Sequence, residues 1–421
     1  MNIIIIGNII YKGEGRLGHT KLSNQENLVK KLIEIRHELH QFPEVSSKEF
    51  KTTERIKQWL TEAGYTILPL EIETGVVAEI QGGLPGATVS YRTDIDALPI
   101  QEETGLPYSS KNEGVSHACG HDFHMTIALG AALVLAENKN QLRGTVRLIF
   151  QPAEETTQGA RQLIEAGLFS DQKIKAIFGV HNQPGIVAGK VGITDHHLMG
   201  AVDTIRITIT GKSGHGAIPQ NTVDSVVAGS AVVMGLQSAV SRNLDPFEPV
   251  VITIGSFHSG TTHNVIAGTA ELFGTVRSFN PEIRAQLPQL IERISKEIAK
   301  GYGAEAKLEF IPQVPAIDND PLMTQIVKEA VLETLGEDAV VQPKPTLGGE
   351  DFALYQQHVP GCYFWIGTGD KDKGVSKQWH DSAFLVNDDV IPDAVDVVVR
   401  TLEKSLDHYA QQSSYGEEKR W

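Results

Sequence analysis

The chain has 421 residues, 41% hydrophobic and 21% charged, values that exclude global disorder and a length that favours two domains. Its 37 basic and 52 acidic side chains leave a formal charge of −15, which repels phosphate backbones and predicts no nucleic-acid partner. Two cysteines, Cys119 and Cys362, are too few for a disulfide framework and predict a reducing, cytoplasmic setting.

Residues 1–21 open with the apolar run Ile3-Ile4-Ile5-Ile6, which has no basic segment before it and no cleavage site after it. They read as a disordered or weakly packed N-terminal extension, with a stray strand as the alternative. No later run reaches the roughly 20 apolar residues of a membrane span, so no membrane partner is expected. Leu28, Leu32, Ile35 and Leu39 have helical spacing and predict a helix over 28–41, stopped by Pro43. A second helix is predicted over 47–63, ended by Gly64. Strand-length apolar runs follow at 75–80, 87–91, 144–150 and 176–180, with helical segments at 125–138 and 159–166. This alternation predicts an α/β catalytic domain, a mixed, largely parallel sheet flanked by helices, with its chemistry at the carboxyl ends of the strands.

From 202 the texture changes. Period-two alternation over 203–210 is followed by a helix at 222–241, strands at 250–257 and 269–277, a helix at 281–302 and a strand at 306–310. The order β-α-β-β-α-β is that of a small α+β sandwich. After Pro312 the α/β texture returns. The expected organisation is a discontinuous catalytic domain, 22–199 and 309–412, with the sandwich inserted at 200–308. A polar tail over 413–421, fraying from about Gln411, completes the chain.

The run Ser116-His117-Ala118-Cys119-Gly120-His121-Asp122-Phe123-His124 concentrates imidazole, thiol and carboxylate groups. Thiolate and imidazole are the donors that zinc and its neighbours prefer. Glu154 and Glu155 close an apolar strand; neighbours in extended chain point opposite ways, so one can ligate while the other holds a water proton. His181 follows another buried strand, and His380 is a late candidate in Gln378-Trp379-His380-Asp381. One thiolate, three imidazoles and one carboxylate exceed the four donors of a structural zinc site and suit two metals. Taken singly, each of these residues is more often an ordinary polar group; their joint occurrence at strand ends carries the reading. Asp94 and Asp96 share one face of an extended segment, where one of them could orient a ligating imidazole or simply form a turn. His215 sits in a glycine-rich loop, Gly211 to Pro219, that lets backbone approach a ligand. Asn264 and Arg277 flank a strand pair and can donate to a carboxylate. His196 and His197, at the domain boundary, read as surface.

Together these runs resemble the bacterial N-acyl-amino-acid amidohydrolases, the group of aminoacylases, hippurate hydrolases and auxin-conjugate hydrolases. The matching stretches are Arg92 to Pro99, His117 to Asp122, Gln151 to Glu155, Gly179 to Asn182, Gly211 to Pro219, Asn264 to Ile266, Gly274 to Arg277 and Gly348 to Phe352. The resemblance implies two divalent metal ions per subunit, Zn, Mn, Co or Ni, held by Cys119, His121, Glu155, His181 and His380, with Cys119 a candidate bridge. It implies Glu154 as general base, Asp96 as the residue that orients the site, and His215 with Asn264 as oxyanion stabilisers, His215 reaching into a neighbouring subunit. It further implies substrate contacts from Asn264, Arg277 and Gly349, and an inserted domain that serves as lid and dimer interface in a homodimer or dimer-based tetramer. The expected substrate is a small N-acyl-amino acid. Asp381-Ser382, Ala267 and Gly216 depart from the family's usual residues and bear on substrate preference. Three other readings stay open: a metallo-dipeptidase or carboxypeptidase on the same fold, a thiol amidase with Cys119 as nucleophile, and a non-catalytic binding protein.

Overall fold

A computed structural model describes residues 21–418; the expected N-terminal extension, Lys21 apart, lies outside them. The chain begins with α1 (Glu26–Gln41), which buries Leu32, Ile35 and Leu39 as the spacing predicts, and α2 (Phe50–Glu62). Then come β1 (Thr66–Ile67), β2 (Val76–Gln81), β3 (Leu84–Asp94), α3 (His121–Glu137), β4 (Arg143–Gln151), α4 (Gly159–Glu165), β5 (Ile174–Val187) and β6 (Val191–Gly192). The middle of the chain forms β7 (Ala201–Thr210), β8 (Gly214–His215), α5 (Ser225–Asn243), β9 (Val250–Ser259), β10 (Val265–Ile266), β11 (Thr269–Ser278), α6 (Pro281–Gly301) and β12 (Glu305–Val314). It closes with α7 (Pro321–Leu335), β13 (Val340–Val341), α8 (Phe352–Tyr355), β14 (Gly361–Gly369) and α9 (Ile391–Glu418).

The larger sheet has eight strands in the order β1-β2-β4-β3-β5-β14-β6-β13. Its centre is parallel, β4 with β3, β3 with β5 and β5 with β14, while β2 joins β4 antiparallel. Alternate side chains of each central strand feed opposite layers, as the pleat requires. Val146, Leu148 and Phe150 of β4, with Phe178 and Val180 of β5, pack in one core with residues of α1, α3 and α9. Ile149, Ile177, Tyr363 and Trp365 pack in the other, against Phe352 and Tyr355. Helix α3 is buried on nearly every side, which is why its sequence lacks an amphipathic stripe.

The second sheet is antiparallel, four strands in the order β12-β7-β11-β9. Ile205, Ile207 and Ile209 of β7 are fully buried in a core shared with α5 and α6. Asp224 and Asn280 cap those two helices, their side-chain oxygens accepting from the first free N–H groups. A separate two-stranded ribbon pairs β8 with β10. The tail expected to fray from about Gln411 instead continues α9 to Glu418. The 413–418 part of the expected tail is therefore helix, an extension of an element anchored upstream by Val395, Val398 and Leu402 in the core. No helix among the described residues is long and apolar enough to cross a membrane.

Candidate active site

The chain leaves β3 through α3 to β4 on one side, then crosses back to β5 on the other side of β3. Strand order reverses at that point, and open α/β sheets bind ligands outside the carboxyl ends of strands there. Asp94 ends β3, and Asp96 lies just beyond it. Gln151 ends β4 and leads into Glu154 and Glu155. His181 lies in β5 beyond the last residue paired with β3, and its register partner in β14 is Trp365.

The five donors that the resemblance implies converge here. Cys119 Sγ lies 3.4 Å from His181 Nε2. His121 Nε2 lies 3.8 Å from Glu155 Oε1, and His380 Nε2 lies 3.4 Å from Glu155 Oε2. Three overlapping groups, Cys119–His121–His181, Cys119–Glu155–His380 and His121–Glu154–Glu155, each bring their donor atoms within 4.8 Å of one another. His121 precedes the helix expected over 125–138 but is the first residue of α3, after Gly120 in the left-handed conformation at φ 87°. His380 is itself left-handed at φ 68°, as is Ala153 at φ 53° beside the glutamate pair. Such strain, about 1–3 kcal/mol per residue, persists where surrounding structure enforces it and gathers at functional sites.

The imidazoles are aimed by their second nitrogens. His121 Nδ1 is 2.8 Å from the Asp96 carbonyl oxygen and 3.3 Å from its Oδ1. His181 Nδ1 is 2.7 Å from the Asn182 carbonyl oxygen. Each Nδ1 therefore carries the proton toward its carbonyl, leaving Nε2 as a lone-pair donor in the neutral ring. Asp96 also accepts from Ser46 Oγ at 2.6 Å and from the Glu155 N–H at 3.1 Å, so one carboxylate fixes two of the ligand candidates.

Charges in this enclosure are lopsided. Burial opposes a charge on His121, but Asp94, Asp96 and Glu155 outweigh it and raise its pKa to about 10. Burial, then Glu155, Glu154 and Asp94, push the Cys119 thiol well above its ordinary value. Burial, then Glu350, Glu155 and Asp351, raise Glu154 well above the usual carboxylate range. His121 Nε2 and Glu155 Oε1 are buried without a hydrogen-bond partner, which is costly in any protein interior unless another group takes them up. Bare imidazole, thiol and carboxylate atoms facing one another in surplus negative charge fit divalent cations.

Behind the donors, Arg92 is fully buried and spreads its guanidinium over Asp94 at 2.9 Å, Glu350 at 3.0 Å and Asp351 at 2.9 Å. Gln151 and Tyr355 complete that network. Leaving one such charge unpaired costs about 3–5 kcal/mol. His124 does not join the donors: its Nδ1 lies 2.7 Å from Asp94 Oδ1, and its Nε2 accepts from the Asn182 N–H at 2.9 Å. Asp122 turns away to Arg36 and His40.

The other candidates lie apart. His215 and Asn264 are exposed, brought together because β8 pairs with β10 and the Gly216 N–H donates to the Asn264 carbonyl. His215 Nδ1 accepts from the Ala217 N–H at 3.0 Å. Arg277 is half-buried on β11, and its burial lowers its pKa. A Cβ on Gly349 would fall 2.3 Å from Val202 and 3.5 Å from Val314, at the two connections between the sheets. His197, expected at the surface, is half-buried and stacked on Phe279 with ring centroids 5.7 Å apart. Asp381 accepts from the Ala383 N–H and faces Lys377 at 3.5 Å. Residue-type reasoning missed Asn182, Trp379, Ser46 and Arg92 as supports of the donors. A full charge inside an apolar strand was the one signal available, and it pointed to Arg92.

Residues 91–404 match peptidase family M20/M25/M40. The chain is 42% identical over 362 residues to an N-acetylcysteine deacetylase of Bacillus subtilis (strain 168), covering 86% of this chain and 93% of that protein. It is 37% identical over 364 residues to thermostable carboxypeptidase 1 of Saccharolobus solfataricus, covering 86% and 91%. A solved structure of a dinuclear metal binding peptidase from the M20 family, from Bacillus subtilis, superposes with TM-score 0.81 at 38% identity, covering 91% and 99%.

Proposed function

The chain belongs to peptidase family M20/M25/M40, and from that membership we propose that it is a metal-dependent amidohydrolase that cleaves N-acyl-amino acids into a carboxylate and a free amino acid. The observation that carries the reading is the position of Glu154, a buried carboxylate within 4.8 Å of two donors and left outside the imidazole pairings that occupy Glu155. Cys119, His121, Glu155, His181 and His380 would hold two divalent ions, from among Zn, Mn, Co and Ni, which when bound supply Lewis acidity to the carbonyl and make water acidic near neutral pH. Glu154 takes the proton from the attacking water and passes it to the leaving nitrogen. Its raised pKa suits the second half of that task, since a carboxyl that readily holds a proton can deliver it. Asp96 keeps His121 and Glu155 in place through the exchange. His215 donates to the developing oxyanion from the inserted domain of a second subunit, and Asn264, Arg277 and Gly349 form the substrate's other contacts. The acyl amino acid named for the Bacillus relative supports that substrate class; a cytoplasmic setting suits the two buried free thiols, Cys119 and Cys362.

A thiol amidase would need Cys119 as a thiolate, and burial together with the surrounding carboxylates holds that proton on. A carboxypeptidase reading is kept alive by the Saccharolobus relative and differs in product, a free amino acid from a peptide's end. Activity lost to a strong chelator and restored by Zn²⁺, Mn²⁺ or Co²⁺ on acetyl- and benzoyl-amino acids, with amine release detected, is the expected result. Glu154→Ala should keep its metal and lose about 10²–10⁴-fold in kcat. Full turnover by metal-free protein, or by that variant, would refute the mechanism.

A further inference from the structure

We propose that Asn182 is the positioning residue that holds Cys119, His181 and the Trp379–His380 pair together as one half of the ligand set. The inference rests on the metal-site reading above. Asp96 already fixes the other half, gripping the His121 ring and the Glu155 backbone. The remaining ligands come from three separate segments, and Asn182 touches all three.

Asn182 is fully buried, directly after His181 and in register with Ile366 of β14. Its Nδ2 donates to the Cys119 carbonyl at 2.6 Å and lies 3.0 Å from His124 Nε2. Its carbonyl oxygen accepts from the Trp379 indole N–H at 3.1 Å and lies 2.7 Å from His181 Nδ1, while its Oδ1 also faces that indole at 3.2 Å. The Trp379 ring packs edge-on to the His181 ring, with centroids 4.7 Å apart. The chain on either side is committed to the same arrangement: the His380 N–H donates to the Ala118 carbonyl at 2.8 Å.

A carboxamide is the one side-chain group of this size that both donates and accepts at a fixed spacing. An aspartate would set an oxygen against the Cys119 carbonyl, and a serine would not span both partners. The space is closed as well, since a Cβ on Gly120 would fall 2.4 Å from Asn182 Nδ2. The side chain thus sets where the Cys119 backbone runs, and the peptide oxygen sets which way His181 Nε2 faces. Cys119 Sγ and His181 Nε2, placed by those two contacts, lie 3.4 Å apart.

The test uses the full chain stripped of metal and titrated with Co²⁺ against a chromophoric chelator, with the thiolate-to-cobalt charge-transfer band recorded. Wild type should take up two ions and show the band. Asn182→Ala should bind the ion shared by Cys119 and His181 about 10–100-fold more weakly and the other ion more weakly by a smaller factor, with the band diminished. Trp379→Phe, which loses the indole donor and keeps an aromatic ring, should weaken the same ion by less and keep the band. Two undiminished ions with a full band in Asn182→Ala overturn the proposal, and so does equal weakening of both ions, which marks a general packing loss. If Asn182→Ala fails to fold by circular dichroism, Asn182→Asp is read in its place by the same criteria. A wild-type chain that takes up no metal overturns the metal-site reading itself, and is distinguishable from the other outcomes because it needs no variant.

Discussion

Residue type and spacing pointed to Cys119, His121, His181, His380 and one of Glu154 and Glu155, and their donor atoms meet in one enclosure. Type alone also over-counted, because His124 and Asp122 have the same chemistry and spend it on Asp94, Arg36 and His40 instead. What separates the two sets is the partner of each atom, and those partners are remote in the chain. The supports were harder still to see: Asn182 and Ser46 are ordinary polar residues until strands and loops bring Cys119 and Asp96 beside them. The protonation states of the enclosure have a measurable consequence. His121, with its pKa raised to about 10, and Cys119, held well above its ordinary value, are both protonated at neutral pH in the metal-free chain. Each must lose its proton before ligating, and His380 is raised as well, so metal uptake at pH 7 should release at least about two protons, and affinity should keep rising with pH until the higher of the two has titrated. Calorimetry in buffers of different ionisation enthalpy measures the release; a pH-independent affinity between 6 and 8 would contradict it.

At the scale of elements, the central strands and most helices of both sheets were legible from periodicity, because each buries one face or lies between two covered ones. The start of α3 was not. The apolar pattern begins at Met125, yet the helix begins at His121, because Gly120 turns the chain in a left-handed conformation and the polar first turn is buried by other elements. That glycine carries two constraints, its φ of 87° and the approach of Asn182. Gly120→Ala should cost about 1–2 kcal/mol for the conformation alone, with more for the contact. A thermal midpoint several degrees below wild type in the metal-free chain, together with a weakened Cys119 site, is the expected outcome. An unchanged midpoint would mean that the turn relaxes freely. The far end of α9 shows the converse error, since polar composition past Gln411 suggested fraying while the helix runs to Glu418.

For the whole molecule, the change of texture near 202 signalled a second sheet, and the antiparallel order β12-β7-β11-β9 is that sheet. Among the described residues its edge strand β9 pairs on one side only, with β11, and α5 beside it exposes Val226, Val227 and Met234. Such an edge and apolar surface suit a second copy of the chain, in keeping with the proposed homodimer. If His215 serves the neighbouring site, an equal mixture of Glu154→Ala and His215→Ala subunits should regain about a quarter of wild-type activity. Half the dimers are then mixed, and each has one intact site. No recovery after subunit exchange, or full activity in a monomer by light scattering, would contradict the trans role. The sequence by itself determined the fold class and the types of donor at the strand ends, since periodicity and residue chemistry are local properties of the chain. Tertiary structure decided which imidazoles are bare, which carboxylates are neutralised by Arg92, and that Asn182 links three segments of the site. Those outcomes depend on distances between residues far apart in sequence, and only the folded sheet sets them.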